Sequence, residues 1–275
     1  MTIGTVCYHR SVRLWSVAVV LLLSPSLAAA RPDALAVARR LYNEGQYEQA
    51  IEAARQAAAT PSLAAAARLI SGRAYLERYR ANPQSDDLDH ARADLLAVDG
   101  HALDPREQLE LQIGFAELLF CDERYGAAAE MLDPLLDAAA TLAPNARDRA
   151  LDWWASSLDR EAQTMPQDAR PAIYARVTHR MEDELRRSPA SLTASYWLAA
   201  ATRGQGDLDR AWSAATAAWV RTALHPEGAA AVRADIDKLV VEGIIPERVA
   251  ALPARDRRQA LATMTADWET FKKNW

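Results

Sequence analysis

The 275-residue chain has two cysteines. One of them, Cys7, falls in an N-terminal stretch set apart below, so no internal disulfide can staple the remainder and stability has to come from packing. Glycine (10) and phenylalanine (3) are scarce, while alanine, leucine and arginine dominate. That balance favours helix over strand by intrinsic propensity. No concentrated basic stripe appears and the formal net charge is -5, so the electrostatic footprint of a nucleic-acid binder is missing. A serine nucleophile elbow, a nucleotide-binding fingerprint and a supported pair of catalytic carboxylates are missing too, and an enzyme is not expected. What is present is a chain half hydrophobic and a quarter charged, enough to bury a sizeable core. The expectation is an all-helical protein.

The first thirty residues read as an address. Arg10 and Arg13 precede an apolar run from Leu14 to Leu23, broken at Pro25 and followed by Ala28-Ala29-Ala30. This is the layout of a secretory signal, residues 1–30, with cleavage near Ala28 or Ala30. The run is short of the ~20 apolar residues that span a bilayer; an uncleaved anchor extending to Ala30 is the alternative. Cys7 precedes the apolar core, so an acylated cysteine is not expected, and Arg10 and Arg13 are not adjacent as a twin-arginine signal requires. The expected location is periplasmic or secreted. Cleavage removes two arginines and no acid, leaving a more acidic mature chain without membrane contact.

Past that segment one grammar recurs. "NEGQYEQAIEAA", "QSDDLDHARADL", "CDERYGAAAEML" and "GQGDLDRAWSAA" share a small or acidic residue, then an aromatic or leucine, then an alanine (Ala50, Ala91, Ala128, Ala211). Pro61, Pro105, Pro144, Pro189 and Pro226 recur at steps of 44, 39, 45 and 37, and proline suits the end of a helical unit because it cannot continue one. The expected units are therefore 31–61, 62–105, 106–144, 145–189 and 190–226, followed by a tail, 227–275. Within the first, Ala34, Ala38 and Leu41 precede Gly45, and Tyr47, Ala50, Ala54 and Ala57 follow it, at helical spacing. Gly45 permits the positive φ that ends one helix, and the alanines let the next approach closely. Such a hairpin is too thin to bury its own apolar face, so units must stack.

At these residues the chain resembles the tetratricopeptide repeat family. The pattern is carried by Ala38, Leu41, Gly45, Tyr47, Ala50 and Pro61; by Ala116, Leu119, Tyr125, Ala128, Leu132 and Pro144; and by Leu198, Ala199, Gly206, Leu208, Ala211 and Pro226. Two units depart from it. "ERYRANPQSDD", an insertion near 78–87, exceeds the family's short turn by about seven residues and is expected as a loop on one face. In the fourth, Leu151, Trp154, Ala155 and Leu158 mark a first helix, but "QTMPQDARP", near 162–170, replaces the turn, and Pro171 suits the start of the next helix. The resemblance covers about two thirds of the mature chain and implies a right-handed solenoid of about five hairpins with a helical cap. It also implies a groove along the first helices, pointing to Arg39, Tyr42, Asn43, Arg73, Glu77, Glu117, Phe120, Tyr196 and Arg203. No cluster of lysines and asparagines for a peptide carboxylate is visible. The function expected is a non-enzymatic adaptor or scaffold of the cell envelope that binds a protein or peptide partner. The alternative is a periplasmic accessory subunit or receptor for a small ligand, and self-association is left open.

The remaining signals have plainer readings. Leu261, Met264, Trp268, Phe271 and Trp275 form one apolar stripe, expected to cap the last repeat, with a partner or a membrane surface as alternatives. Trp154 sits on the apolar stripe of its helix, while Trp153 must point about 100° away and is expected half exposed. His90, His101, His179 and His225 form no spaced pair, and neither metal nor cofactor is expected. Asp86, Asp87, Asp89 and Asp94 lack the glycine and distal glutamate of a calcium loop. Asp86 to Asp89, like Asp207 and Asp209, suit a helix N-terminus. Glu182 with Arg186 and Asp183 with Arg187 have the spacing of a solvated salt-paired face. Cys121 is read as a small apolar residue, and Gly204-Gln205-Gly206 fails as a phosphate loop because it joins two helices.

Overall fold

The turn after the first helix is built as the glycine pattern requires. In the computed structural model, which describes residues 33–142, 145–224 and 229–275, Gly45 has φ +74. Its amide and that of Gln46 reach back to the carbonyls of Tyr42 (3.1 Å) and Leu41 (2.9 Å), closing a left-handed C-terminal cap. The same turn recurs at Gly206, φ +85, with Gly206 and Asp207 donating to Arg203 and Thr202. It recurs again at Glu123, φ 59, with Glu123 and Arg124 donating to Phe120 and Leu119. After each turn a fully buried alanine, Ala50, Ala128 or Ala211, lies against the preceding helix. The expected export segment, with Cys7, and Pro144, His225 and Pro226 lie outside the described residues.

All the regular structure among the described residues is helical. In chain order the helices are α1 Ala34–Asn43, α2 Tyr47–Ala58, α3 Ala64–Ala81, α4 Ser85–Leu96, α5 Pro105–Cys121, α6 Tyr125–Leu132 and the short α7 Leu136–Ala139. They continue with α8 Ala146–Thr164, α9 Arg170–Arg187, α10 Leu192–Gly204, α11 Leu208–Arg221, α12 Ala229–Lys238, α13 Ile245–Ala250 and α14 Arg257–Asn274. No helix among the described residues is long and apolar enough to cross a membrane.

Packing follows chain order. α1 packs on α2, α3 on α4, α5 on α6, α8 on α9 and α10 on α11. Each second helix also touches the next first helix, and the first helices touch one another in the order α1, α3, α5, α8, α10, α12. The helices start where local chemistry allows. Asp104 and Glu107 close a reciprocal capping box on α5, Ser191 and Asp207 cap α10 and α11, and Pro171 stands in the first turn of α9. Each device satisfies or removes an amide that the first helical turn leaves without a partner.

Several expectations are corrected. The segment near 78–87 is not chiefly a loop: α3 runs on to Ala81 and only 82–84 separate it from α4. The extension is tied down by Arg78, which donates to Asp87 at 3.2 and 2.8 Å and to Glu48 at 2.5 Å. In the tail, most of "EGIIPERVAALP" is helical. α12 continues through a π-turn, Leu239–Ile244, into α13. Ile236, Leu239, Val240, Ile244, Ile245 and Val249 are buried along it, so the apolar face is too continuous to leave the core. Trp153 is fully buried, as is Trp154. Phe120 meets the Trp153 ring edge-on at 5.0 Å and the Arg80 guanidinium lies 4.4 Å from its centroid.

The C-terminal stripe is covered only at its middle. Trp268 is fully buried against the rings of Trp212 (5.8 Å), Trp219 (5.5 Å) and Phe271 (5.5 Å). Its indole N–H donates to Asp237 at 2.7 Å. Met264 and Phe271 are half-buried beside it, while Leu261 and Trp275 remain 45% and 60% exposed. The stripe is longer than the surface it packs on.

Candidate functional site

The groove residues implied by the sequence divide into two groups. Arg39, Tyr42, Asn43, Arg73, Glu77 and Glu117 gather on α1, α3 and α5, but turned inward. Arg73 donates to Glu117 at 3.1 Å from Nε and 2.8 Å from Nη2. Glu117 is wholly buried, so the pair lies in protein. Burial works against the Arg73 charge, and Glu117 beside it more than compensates, holding the guanidinium well above its ordinary pKa. Tyr42 lies between two cations, with Arg73 5.1 Å and Arg149 4.9 Å from its ring centroid. Burial pushes its phenol up. Arg39 spans to Glu107 at 2.9 Å and Glu110 at 3.4 Å. Asn43 accepts from Arg149 at 3.3 Å. The expectation that these side chains line an open face is therefore corrected: interhelical ion pairing takes up Arg39, Arg73 and Glu117.

That cluster is not fully satisfied. The Tyr42 hydroxyl, one Glu77 oxygen and the Arg149 Nε are buried without a hydrogen-bond partner. Burial first, then the charge of Glu117, raises the Glu77 carboxyl. A cavity of about 20 Å³ lies here, lined by Tyr42, Arg73 and Arg149 among others, with room for about one water.

Phe120, Tyr196 and Arg203 lie elsewhere, on an open groove. Its smaller lobe, about 420 Å³, is lined by Tyr79, Arg80, Phe120, Tyr125, Arg160 and Trp197, with Cys121, Ser156 and Asp159 among the others. Its larger lobe, about 630 Å³, is lined by Gln163, Arg170, Tyr174, Tyr196 and Arg203, and shares Asp159 and Trp197 with the first. The walls thus come from α3, α5, the start of α6, α8 and α10, with α9 and the α12–α13 run closing the far end.

The groove side chains are held from below. Trp197 donates to Asp152 at 2.9 Å, and Arg80 closes an ion pair with the same carboxylate. The Tyr174 hydroxyl donates to Asp159 at 2.9 Å and Gln163 to its other oxygen at 2.7 Å. Two glycines permit close approaches. A Cβ at Gly204 would meet the Tyr174 ring at 2.5 Å, and one at Gly243, inside the π-turn, would meet the Arg203 guanidinium at 2.7 Å. π-turns inside helices often occur at functional sites, and this one presses on Arg203, which donates to Glu247 at 2.9 Å.

Sequence reasoning missed Tyr79, Tyr125, Asp159, Arg160, Tyr174 and Trp197 as groove residues. Tyr79 belongs to the helical extension of α3, beyond the family pattern. Tyr174 comes from a second helix, where the family's inner face is not sought. Trp197 follows Tyr196 on α10, about 100° around the helix, so the family pattern that points to Tyr196 does not reach it.

Other candidates take structural places. Asp86 and Asp87 occupy the first turn of α4, and Asp207 caps α11. Glu182 pairs with Arg210 rather than Arg186, and Arg187 with Asp137 rather than Asp183, because α11 and α7 present partners across the helix interface. His90 stacks on Tyr75 at 5.0 Å and His179 lies 3.7 Å from Asp183. Among the described residues no three His, Cys, Asp or Glu side chains are grouped to hold a metal ion. The half-buried Cys121 packs against two core clusters. Burial, then the charge of Glu117, pushes its thiol up to about 12.

Comparison with known proteins adds no relative: no family model matches the chain, no curated protein matches it and no solved structure matches it.

Proposed function

We propose that the chain is an exported, non-enzymatic adaptor of the cell envelope. In this reading it is a right-handed stack of tetratricopeptide-type hairpins that holds a protein or peptide partner in its groove, with residues 227–275 as the cap. The stack is supported by the first helices touching in chain order and by the recurring turn at Gly45, Glu123 and Gly206. Export rests on the layout of residues 1–30 alone.

One observation carries the function: the two-lobed groove lined by Tyr79, Phe120, Tyr125, Tyr174, Tyr196 and Trp197 with arginines among them. Tyr79, Phe120, Tyr125 and Tyr196 are partly exposed on its walls and Tyr174 and Trp197 are largely buried beneath them; aromatics beside arginine are enriched among the side chains that dominate protein interfaces. The partner contacts are then Phe120, Tyr196 and Arg203 together with the groove residues above. Arg39, Tyr42, Asn43, Arg73, Glu77 and Glu117 support the helices that carry them.

A photo-crosslinking residue at Tyr125 or Gln167, in the groove, and at the exposed Gln56 of α2 tests this in the native host. Adducts with one reproducible protein from the groove positions and none from Gln56 are expected. No adduct, or equal adducts from Gln56, would end the proposal. Fractionation of the same cells tests export.

A small-ligand reading has the lobe volumes in its favour, since sites for small molecules occupy about 300–1,000 Å³. A thermal-shift screen over metabolites, sugars and lipids separates it from the adaptor reading.

A further inference from the structure

The charges in the groove are unevenly answered. Arg203 is engaged by Glu247 and Arg80 by Asp152. Arg170 folds back onto the carbonyls of Met165 (3.0 Å) and Gln163 (3.4 Å). Arg160 is exposed and lines the smaller lobe only, where Glu123 is also present.

Asp159 stands at the wall common to both lobes. Its oxygens accept from a phenol and an amide, both neutral, and no ion pair engages it among the described residues. Around it stand the rings of Tyr174, Tyr196 and Trp197. Burial, then the charges of Asp235, Asp159 and Asp152, opposed by that of Arg203, push the Tyr196 hydroxyl up to about 12. Burial, then the charge of Asp152, raises the Asp235 carboxyl. The centre of the groove is therefore an aromatic enclosure around one carboxylate, Asp159, that no ion pair engages among the described residues.

An organic cation answers both features at once. Its charge is attracted to the faces of the rings, and its N–H groups donate to the lone pairs Asp159 has left. A purely apolar or acidic segment would leave Asp159 desolvated without a counter-charge, which disfavours it. Resting on the adaptor reading above, we infer that the partner is a basic polypeptide segment, one of whose lysine or arginine side chains seats on Asp159 between Tyr174, Tyr196 and Trp197.

The test is a positional-scanning library of fluorescein-labelled dodecapeptides, read by anisotropy against the purified full chain and its Asp159→Asn variant. The amide so introduced is isosteric with the carboxylate and keeps an acceptor for the Tyr174 hydroxyl, and a thermal melt verifies that the variant folds. Lysine or arginine should be preferred at one peptide position. Asp159→Asn should weaken binding of the best basic peptide about tenfold, with little effect on peptides lacking the basic residue, and added salt should weaken the basic peptide selectively. Peptides that bind without a basic preference, or a preference that survives Asp159→Asn, would overturn the inference and leave the groove reading standing. If no peptide binds, both fall.

Discussion

Arg73 and Glu117, 44 positions apart, meet in a two-pronged ion pair that links α3 to α5 inside the protein. The same separation recurs at Arg203 and Glu247, linking α10 to α13. In both, an arginine of one unit's first helix reaches a glutamate of the next, so the α12–α13 run occupies the place of a further first helix.

Breaking the buried pair on one side should be severe. Arg73→Ala leaves Glu117 buried without its partner, and should cost about 3–5 kcal/mol, measured by urea unfolding. Replacing both partners, as Arg73→Met with Glu117→Leu, should recover most of that loss, because a matched apolar pair needs no counter-charge. A double variant no more stable than the single one would contradict this.

Glu77 should make the fold less stable in alkali. Its raised carboxyl means the native state holds a proton the unfolded chain has already lost, so stability is greatest below the ordinary carboxylate pKa. It declines as pH rises from there through the raised value. Glu77→Gln removes the charge without changing the shape. Its urea midpoint should exceed the parent's at pH 8, with the difference shrinking toward pH 4.

The three matching turns permit a test in two directions. Nothing within 4 Å obstructs a Cβ at Gly45, so Gly45→Ala should cost about 1 kcal/mol through backbone strain alone. Glu123 already bears that strain, at φ 59, and Glu123→Gly should stabilise by about 0.5–1 kcal/mol. Chemical denaturation of both variants measures the pair, and opposite signs are required.

The two ends of the C-terminal stripe should respond differently. Trp268→Ala empties the centre of an aromatic cluster and should cost about 3–5 kcal/mol. Trp275→Ala, on an exposed ring, should stay within about 0.5 kcal/mol. Thermal melts distinguish them, and equal losses would mean that Trp275 is held by something beyond its ring contact with Phe271.

The all-helical character was legible because alanine, leucine and arginine dominate and the apolar residues fall at helical spacing. The turn at Gly45 was legible because only glycine adopts its backbone angle freely. The matching turn at Glu123 carries no such mark. The length of α3 was hidden for a related reason: Asn82 and Pro83 mark its end, but the family pattern places a turn earlier. Trp153 was misjudged because helical periodicity assigns one buried face, whereas α8 is packed by α5, α6, α9 and α10. Asp159 carried no pattern at all; the rings that surround it are brought there by α9 and α10.

Cys121 has a practical consequence. With its sulfur kept as S–H across the neutral range by burial, it offers almost no thiolate, the form that attacks disulfides and peroxides. Cys121 should therefore resist disulfide formation and peroxide oxidation during purification in air without a reducing agent.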